Sequence, residues 1–339
     1  MKSIATALTT IVAASVIIPC SGLTVSAKDS GYQILERYGN NKVTAGSYTY
    51  KLDKKGKLSI SSKGGTAKTA ALKPGIDDIA VSSKDLYYFR DNILMRYTVK
   101  SGKNEKIKTF SDKPKNGDSG DKVGYFLSAS YGDSIYITSE SFADWECNTY
   151  LFKPGSGKTK KLFNGAVHKT CGKYIIADME YRTDVSPTTY DLYKITSDGV
   201  KKVRNLSKSS YGVYISGGKY FYSTVTEDYS GKKTKRGSKI MVCDADGKNA
   251  KTIKELKGNA EFLHFYKDKI YFIEHSEDSS GDYTGRLCEL GKDGKGFRVI
   301  SSKISVFDLD KISGGKVYYG DGSSNYSVDI KTGKISKAK

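Results

Sequence analysis

Residues 269–300 read KIYFIEHSEDSSGDYTGRLCELGKDGKGFRVI, and their order of runs and turns decides the fold. Ile270-Tyr-Phe-Ile273 is apolar without alternation, which is how a strand reads when both its faces are covered. A polar stretch follows, then a strand at Arg286 to Leu290, the pair Asp293-Gly294, and a strand at Phe297 to Ile300. Asp-Gly marks a tight hairpin, because the turn that suits twisted strands needs positive φ at its centre. Just upstream, Phe262 to Tyr266 and the pair Lys267-Asp268 add one more strand and one more turn. The unit is therefore four strands in series, with a long connection only between the second and third.

The same unit recurs. It is clearest at Tyr211 to Ile215, Gly217-Gly218, Lys219 to Ser223, Lys239 to Cys243, Asp246-Gly247 and Ala250 to Ile253. The final copy runs Ile304 to Leu309, Gly314-Gly315, Lys316 to Tyr319, Tyr326 to Ile330, Thr332-Gly333 and Lys334 to Ser336. Upstream, turn pairs at Asn40-Asn41, Ser83-Lys84, Gly132-Asp133 and Cys171-Gly172 precede second strands at Lys42, Leu86, Ile135 and Tyr174. The hairpin glycines are Gly56, Gly102, Gly157, Gly199, Gly247, Gly294 and Gly333, spaced 39 to 55 residues apart. Periods of this length filled only with strand signals indicate propeller blades. The expected fold is all-β: a seven-bladed β-propeller, with six or eight blades as alternatives. A β-sandwich would give no reason for seven equivalent hairpins. The 26 tyrosines suit the wedge between blades, where rings fill space and hydroxyls reach water at the edge.

Residues 1–27 read as a secretory signal peptide: Lys2, an apolar stretch from Ile4 to Ile18, and a small-residue cleavage site between Ala27 and Lys28. Pro19 stands where a lipidated Cys20 would need a small residue before it. Residues 28–39 form an N-terminal lead-in, and 40–339 one propeller domain, with Ser111 to Asp121 as the best candidate for a flexible insertion. The mature chain is expected to be secreted or envelope-associated, monomeric and without a membrane span. Its charge is strongly basic: 56 Lys and Arg against 37 Asp and Glu give +19, and removing Lys2 with the leader leaves +18. Such a field favours anionic partners, and lysine edges also block sheet-to-sheet aggregation. Cys147, Cys171, Cys243 and Cys288 are scattered and form no CxxC, so buried thiols are expected rather than disulfides. His168, His264 and His275 are far apart in sequence, so no zinc set is expected and no cofactor is implied.

The quoted run resembles the YWTD-type repeat of low-density-lipoprotein-receptor propellers. It is more similar to secreted bacterial propellers of unknown function with related repeats, in which a tyrosine-rich strand precedes an Asp-Gly hairpin. Leu192 to Ile195 with Asp198-Gly199, and Met241 to Asp244 with Asp246-Gly247, carry the same likeness. No unit has Trp-Thr-Asp after the tyrosine, and seven units exceed the six of the receptor propellers. The resemblance implies a propeller that binds rather than catalyses.

Three motifs fail on chemistry. Gly155-Ser-Gly-Lys-Thr159 resembles the end of a phosphate loop, but Phe152 stands where its first glycine is required. Asp244, Asp246 and Glu255 have calcium-loop spacing, but Asn249 occupies the glycine position. No Gly-x-Ser-x-Gly elbow exists.

In an up-and-down blade the first and third turns share one face, while the second connections and the blade-to-blade links share the other. The first set is short and lysine-rich, and contributes Lys158, Lys160, Lys161, Lys201, Lys202 and Lys248 as candidates for an anionic envelope polymer. The second set is long at Ser139–Asn148, Asp178–Thr189, Thr224–Ser238 and Glu274–Gly285. It supplies Asp144, Trp145, Glu146, Tyr181, Asp184, Asp228, Tyr229, Glu277, Asp278 and Tyr283 as ligand candidates. Rings beside carboxylates suit a glycan, since a ring stacks on the sugar and acids accept from hydroxyls. The same mixture suits a protein ligand, and no nucleic acid is expected. The function expected is a non-catalytic binding module. The alternatives are a polysaccharide-active enzyme using a carboxylate pair, or an envelope-assembly scaffold.

Overall fold

A computed structural model describes residues 42–338 except 46–47, 54–56, 63–64, 67, 71, 73–75, 77, 83–84, 99, 113–122, 132, 142–145, 180–187, 211, 229–234, 276–283 and 306–307. Of 42–45, 68–69, 81–82, 131, 227–228, 235–236, 262, 284 and 308 it describes the backbone alone. The leader with its Ala27–Lys28 cleavage site, the lead-in 28–39, Gly56 and most of the proposed insertion lie outside the described residues.

The described residues form seven four-stranded antiparallel sheets, and no helix occurs among them. The first holds β1 (Lys42–Ala45), β2 (Tyr48–Leu52), β3 (Leu58–Ser62) and β4 (Lys68–Thr69). The second holds β5 (Ile79–Ser82), β6 (Asp85–Arg90), β7 (Ile93–Thr98) and β8 (Lys103–Thr109). In the third are β9 (Gly124–Tyr131), β10 (Ser134–Ser141), β11 (Glu146–Lys153) and β12 (Lys158–Asn164). The fourth has β13 (Ala166–Cys171), β14 (Tyr174–Asp178), β15 (Thr188–Thr196) and β16 (Gly199–Ser210). The fifth has β17 (Val213–Ser216), β18 (Lys219–Asp228), β19 (Lys235–Asp244) and β20 (Lys251–Leu256). The sixth has β21 (Asn259–Tyr266), β22 (Lys269–His275), β23 (Thr284–Gly291) and β24 (Arg298–Ser305). The last has β25 (Asp308–Ser313), β26 (Lys316–Gly320), β27 (Asn325–Asp329) and β28 (Ile335–Lys337). Every strand pairs with its neighbours in sequence, so each sheet is a simple meander.

In five sheets the predicted hairpin glycine lies between the third and fourth strands, and in the fourth sheet Gly199 opens the fourth strand. The first sheet departs from this. Gly56 falls between β2 and β3, while β1 lies beside β5 as the other first strands do, so the run expected as a second strand from Lys42 is the first strand of its sheet and Gly56 belongs to the second connection.

Second strands serve two cores at once. In β22, Ile270 and Phe272 pack toward the fifth sheet, while Tyr271 and Ile273 pack toward the seventh. β6 does the same, with Leu86 and Tyr88 on one side and Tyr87 and Phe89 on the other. This is why neither run alternates. Six apolar clusters join the seven sheets in consecutive order, and among the described residues none joins the seventh to the first. Burying one such side chain contributes about 1.5–3 kcal/mol. First strands lie side by side, β5 by β9, β9 by β13, β13 by β17 and β21 by β25, whereas fourth strands stand mostly apart. The sheets thus converge at their first strands and splay at their fourth, the arrangement of propeller blades.

Glycine lets the sheets come close at two kinds of place. At the hairpin Gly333, φ is +71° and an added Cβ would lie 2.3 Å from the Ile300 carbonyl of the previous sheet. At the sheet-to-sheet link Gly258, a Cβ would lie 2.1 Å from the His275 carbonyl. Ser238 donates to the Gly258 carbonyl at 2.7 Å, so the buried link is satisfied by a hydroxyl from the sheet before it.

Candidate binding surfaces

The first and third turns of a sheet meet at one end. The Lys292 amide donates to the Asp268 carbonyl at 3.2 Å, that of Ile330 to Gly315 at 2.9 Å, and that of Ile195 to Lys173 at 2.8 Å. Connections between second and third strands leave from the opposite end. Asp144 and Trp145 fall between β10 and β11, Tyr181 and Asp184 between β14 and β15, Tyr229 between β18 and β19, and Glu277, Asp278 and Tyr283 between β22 and β23. All eight lie outside the described residues, as does the side chain of Asp228, the last residue of β18. Glu146 is described: it is exposed and opens β11 opposite Ser141. The connections themselves are shorter than expected. Strand pairing runs on through Ser141 and Glu146, Asp178 and Tyr190, Asp228 and Lys235, and His275 and Gly285, so residues read as loop belong to strands.

The lysine candidates lie elsewhere than expected. Lys158, Lys160, Lys161, Lys201 and Lys202 are on the outer strands β12 and β16, so they line the rim, with Lys248 at a turn. Three of the six are already engaged. Lys160 donates to the Asp198 carbonyl of the next sheet at 3.1 Å, Lys202 pairs with the buried Asp191 at 2.5 Å, and Lys248 pairs with Asp246 at 3.2 Å. Arg204 and Arg298 likewise donate to hairpin carbonyls of the following sheet, at Gly247 and Ile330. Part of the basic surface therefore ties the third sheet to the fourth, the fourth to the fifth and the sixth to the seventh. Lys158, Lys161 and Lys201 are exposed, with no side-chain partner among the described residues. Lys106, Lys251 and Lys303, on β8, β20 and β24, are in the same state.

The calcium-like acids are turn residues. Asp244 accepts from the Asn249 side chain at 2.7 Å and Asp246 from the Lys248 amide at 3.0 Å, which holds both carboxyls below the usual range. Asp293, Asp321 and Asp329 accept from backbone amides in the same way.

Sequence separation hid an inner cluster. Two of the three histidines come from first strands, His168 from β13 and His264 from β21. His168 is the extra residue of a β-bulge, opposite no partner between Val167 and Lys169. Ser128 on β9 and Asp310 on β25 occupy the same kind of bulge. The His168 Nε2 lies 3.3 Å from the Val213 carbonyl of the fifth sheet, and His264 donates to Leu309 of the seventh. Burial, and then the nearby Lys169 ammonium, push His168 down to about 3. His264 is also lowered by burial, and Lys169 acts on it too, with Asp310 opposing. The signal in the sequence was position: each of these residues stands three or four places before its turn pair.

A second pair lies at the loop end of the sixth sheet. His275 Nε2 is 3.5 Å from Glu261 Oε2, with both side chains about six-sevenths buried. Burial raises the Glu261 carboxyl to about 7. On the opposite face Arg286 grips the buried Glu274 with two N–H groups, at 3.0 and 2.8 Å. The thiols of Cys147, Cys171, Cys243 and Cys288 are all buried. Burial raises Cys243 to about 11 and Cys288 to about 12.

No protein-family model matches the chain, and a search of curated proteins finds no match. Solved structures do resemble it distantly. The β-propeller domain of the Trilobed protease from Pyrococcus furiosus is 14% identical with a TM-score of 0.38, over 88% of this chain and 96% of that one. TolB from Acinetobacter baumannii is 17% identical with a TM-score of 0.33, and tricorn protease 18% identical with the same score. These two cover 72% and 78% of this chain, which spans 58% of the TolB chain and 26% of the tricorn chain. The propeller-type fold is assigned here on strand order and on the six inter-sheet cores.

Proposed function

We propose that the protein is a non-catalytic binding module of the extracellular space or cell envelope, built as a closed seven-bladed propeller, which docks on anionic polymer through its rim. One observation carries this reading: Lys106, Lys158, Lys161, Lys201, Lys251 and Lys303 stand exposed on the outer strands or hairpin turns of five consecutive sheets, without side-chain partners among the described residues. A row of unneutralised charge gives long-range attraction to a polyanion, screened within about 8–10 Å at physiological salt. The test is retention on immobilised teichoic acid or heparin as salt rises. Replacing Lys158, Lys161 and Lys201 by glutamate is expected to move elution to markedly lower salt. Unchanged elution would reduce the lysines to edge protection. Lys202 is left intact in this variant, since a glutamate there would face buried Asp191.

A second surface is favoured by strand order, because four consecutive sheets send their second connections to one end. There Trp145, with Tyr181, Tyr229 and Tyr283, would stack on a glycan or a protein ligand, and Asp144, Glu146, Asp184, Asp228, Glu277 and Asp278 would accept its donors. Truncating an aromatic at a binding centre costs about 2 kcal/mol or more. Trp145→Ala is therefore expected to weaken any ligand found on a glycan array by an order of magnitude, with unchanged unfolding. Wild-type binding by that variant would move the site elsewhere.

A further inference from the structure

The rim carries more than charge. Among the described residues the exposed large aliphatic side chains are Val203, Val299 and Ile335, and each lies on an outer strand, β16, β24 or β28. The last two belong to adjacent sheets whose rims are in contact. Arg298 donates to the Ile330 carbonyl at 2.9 Å, and a Cβ added at Gly333 would lie 2.3 Å from the Ile300 carbonyl. Val299 stands between those two contact points of β24, and Ile335 comes two residues after Gly333. The reach of the chain therefore keeps the Cα atoms of Val299 and Ile335 within about 20 Å of each other. Their side chains are open to water, at 36% and 40% exposure.

Cations flank both residues in the chain. Lys295 and Lys303 stand on either side of Val299, and Lys331, Lys334 and Lys337 around Ile335. All five are exposed, with no side-chain partner among the described residues. The neighbouring acids Asp293 and Asp329 accept from backbone amides of their own turns, at 3.0 and 2.8 Å. This part of the rim is thus basic and apolar at once. A soluble polyanion would meet the lysines but stay hydrated, leaving Val299 and Ile335 in water. An anionic bilayer answers both features: its surface charge attracts the ammoniums, and its headgroup boundary takes in apolar side chains. Lysine stems lie along such a boundary while their charged ends remain in water.

We propose that the rim of the sixth and seventh sheets docks on an anionic lipid bilayer, with Val299 and Ile335 entering the headgroup boundary and Lys331, Lys334 and Lys337 facing the lipid charge. This goes beyond polymer docking, which uses the lysines alone. The test is co-sedimentation of the full protein with vesicles of phosphatidylglycerol in phosphatidylcholine. Binding is expected to exceed that to phosphatidylcholine alone by about tenfold or more. Val299→Ser together with Ile335→Ser should weaken partition by about tenfold, and glutamate at Lys331, Lys334 and Lys337 by about a hundredfold. Ile335→Trp should bind more tightly, and the emission of its indole should shift to the blue when anionic vesicles are added. The serine variant should elute from heparin with the wild type and melt with it, so a failure here leaves the polymer reading standing. Full partition by that variant would overturn the proposal, because the attraction would then be charge alone, as for a polymer. Absence of binding to the anionic vesicles would overturn it too. If the serine variant does not fold, an Ile335→Trp protein whose emission ignores the vesicles overturns it as well.

Discussion

β13 and β16 are the inner and outer strands of one sheet, and both carry cations. Lys169 on β13 follows the buried His168, whose ring lies against the Val213 carbonyl of the fifth sheet, while Lys201 on β16 is exposed. The difference is one of solvation. At the converging edge neighbouring sheets displace water, so the uncharged form of a histidine is favoured and each polar group needs a protein partner. At the splayed edge a lysine keeps its hydration and its charge at no cost. Position along the sheet, rather than residue type, decides what a basic side chain does.

The largest expected effect removes the seventh sheet altogether. Deleting residues 304–339 takes away Leu309, Val317, Tyr319 and Val328, and strips cover from Tyr271 and Ile273. Cooperative unfolding should be lost, because each sheet buries its faces only against neighbours. A truncated chain with an unchanged melt would show that the sheets are an open array in which the last one is dispensable.

Gly258→Ala tests the link between an outer strand and the next inner one. The methyl would meet the His275 carbonyl, backbone that cannot easily yield. A loss of about 3 kcal/mol or more is expected in chemical denaturation, against about 1 kcal/mol for Gly102→Ala, whose added methyl meets open space and pays only for φ of +69°. Equal losses would mean that the links are no tighter than the rim.

Acid should act on the inner edge first. His168 and His264 are less basic folded than unfolded, so the unfolded chain binds more protons below about pH 6.5, the ordinary histidine value. Stability should fall as pH drops through that window, for His168 down to about 3, by at most about 1.4 kcal/mol per pH unit for each ring. Glu261 has the opposite sign. Its folded carboxyl titrates near 7, above the usual 4.5, so its contribution is lost as pH rises between those values. His168→Gln should flatten the acid slope and Glu261→Gln should steepen it, both read from denaturation midpoints across pH 4–7. Unchanged slopes would place these groups in water.

The smallest effect is kinetic. Native protein should react slowly with a thiol reagent at all four cysteines and rapidly once denatured, because burial keeps the thiols protonated. A fast native phase would open one of the inter-sheet cores.

Much of the fold was legible because it is written locally. Non-alternating runs such as Ile270 to Ile273 report two covered faces, and Asp-Gly pairs report hairpins, so strand order followed from sequence. The first sheet was harder: its glycine looks like the other hairpin glycines, and only the contact of β1 with β5 shows that Lys42 opens a first strand and that Gly56 lies in the second connection. The loop boundaries at Ser141, Asp178 and His275 also went unread, since polar residues continue a ladder where neighbouring strands supply the bonds. By itself the sequence determined the repeat, its four-strand unit, the buried thiols and the basic balance, because each depends on short-range pattern or on composition. Tertiary structure alone decided which lysines are bound to the next sheet and which are not, and that Lys169, His264 and Asp310 share one inner edge. Those residues lie on the first strands of three different sheets, and it is the convergence of first strands that puts them at that edge.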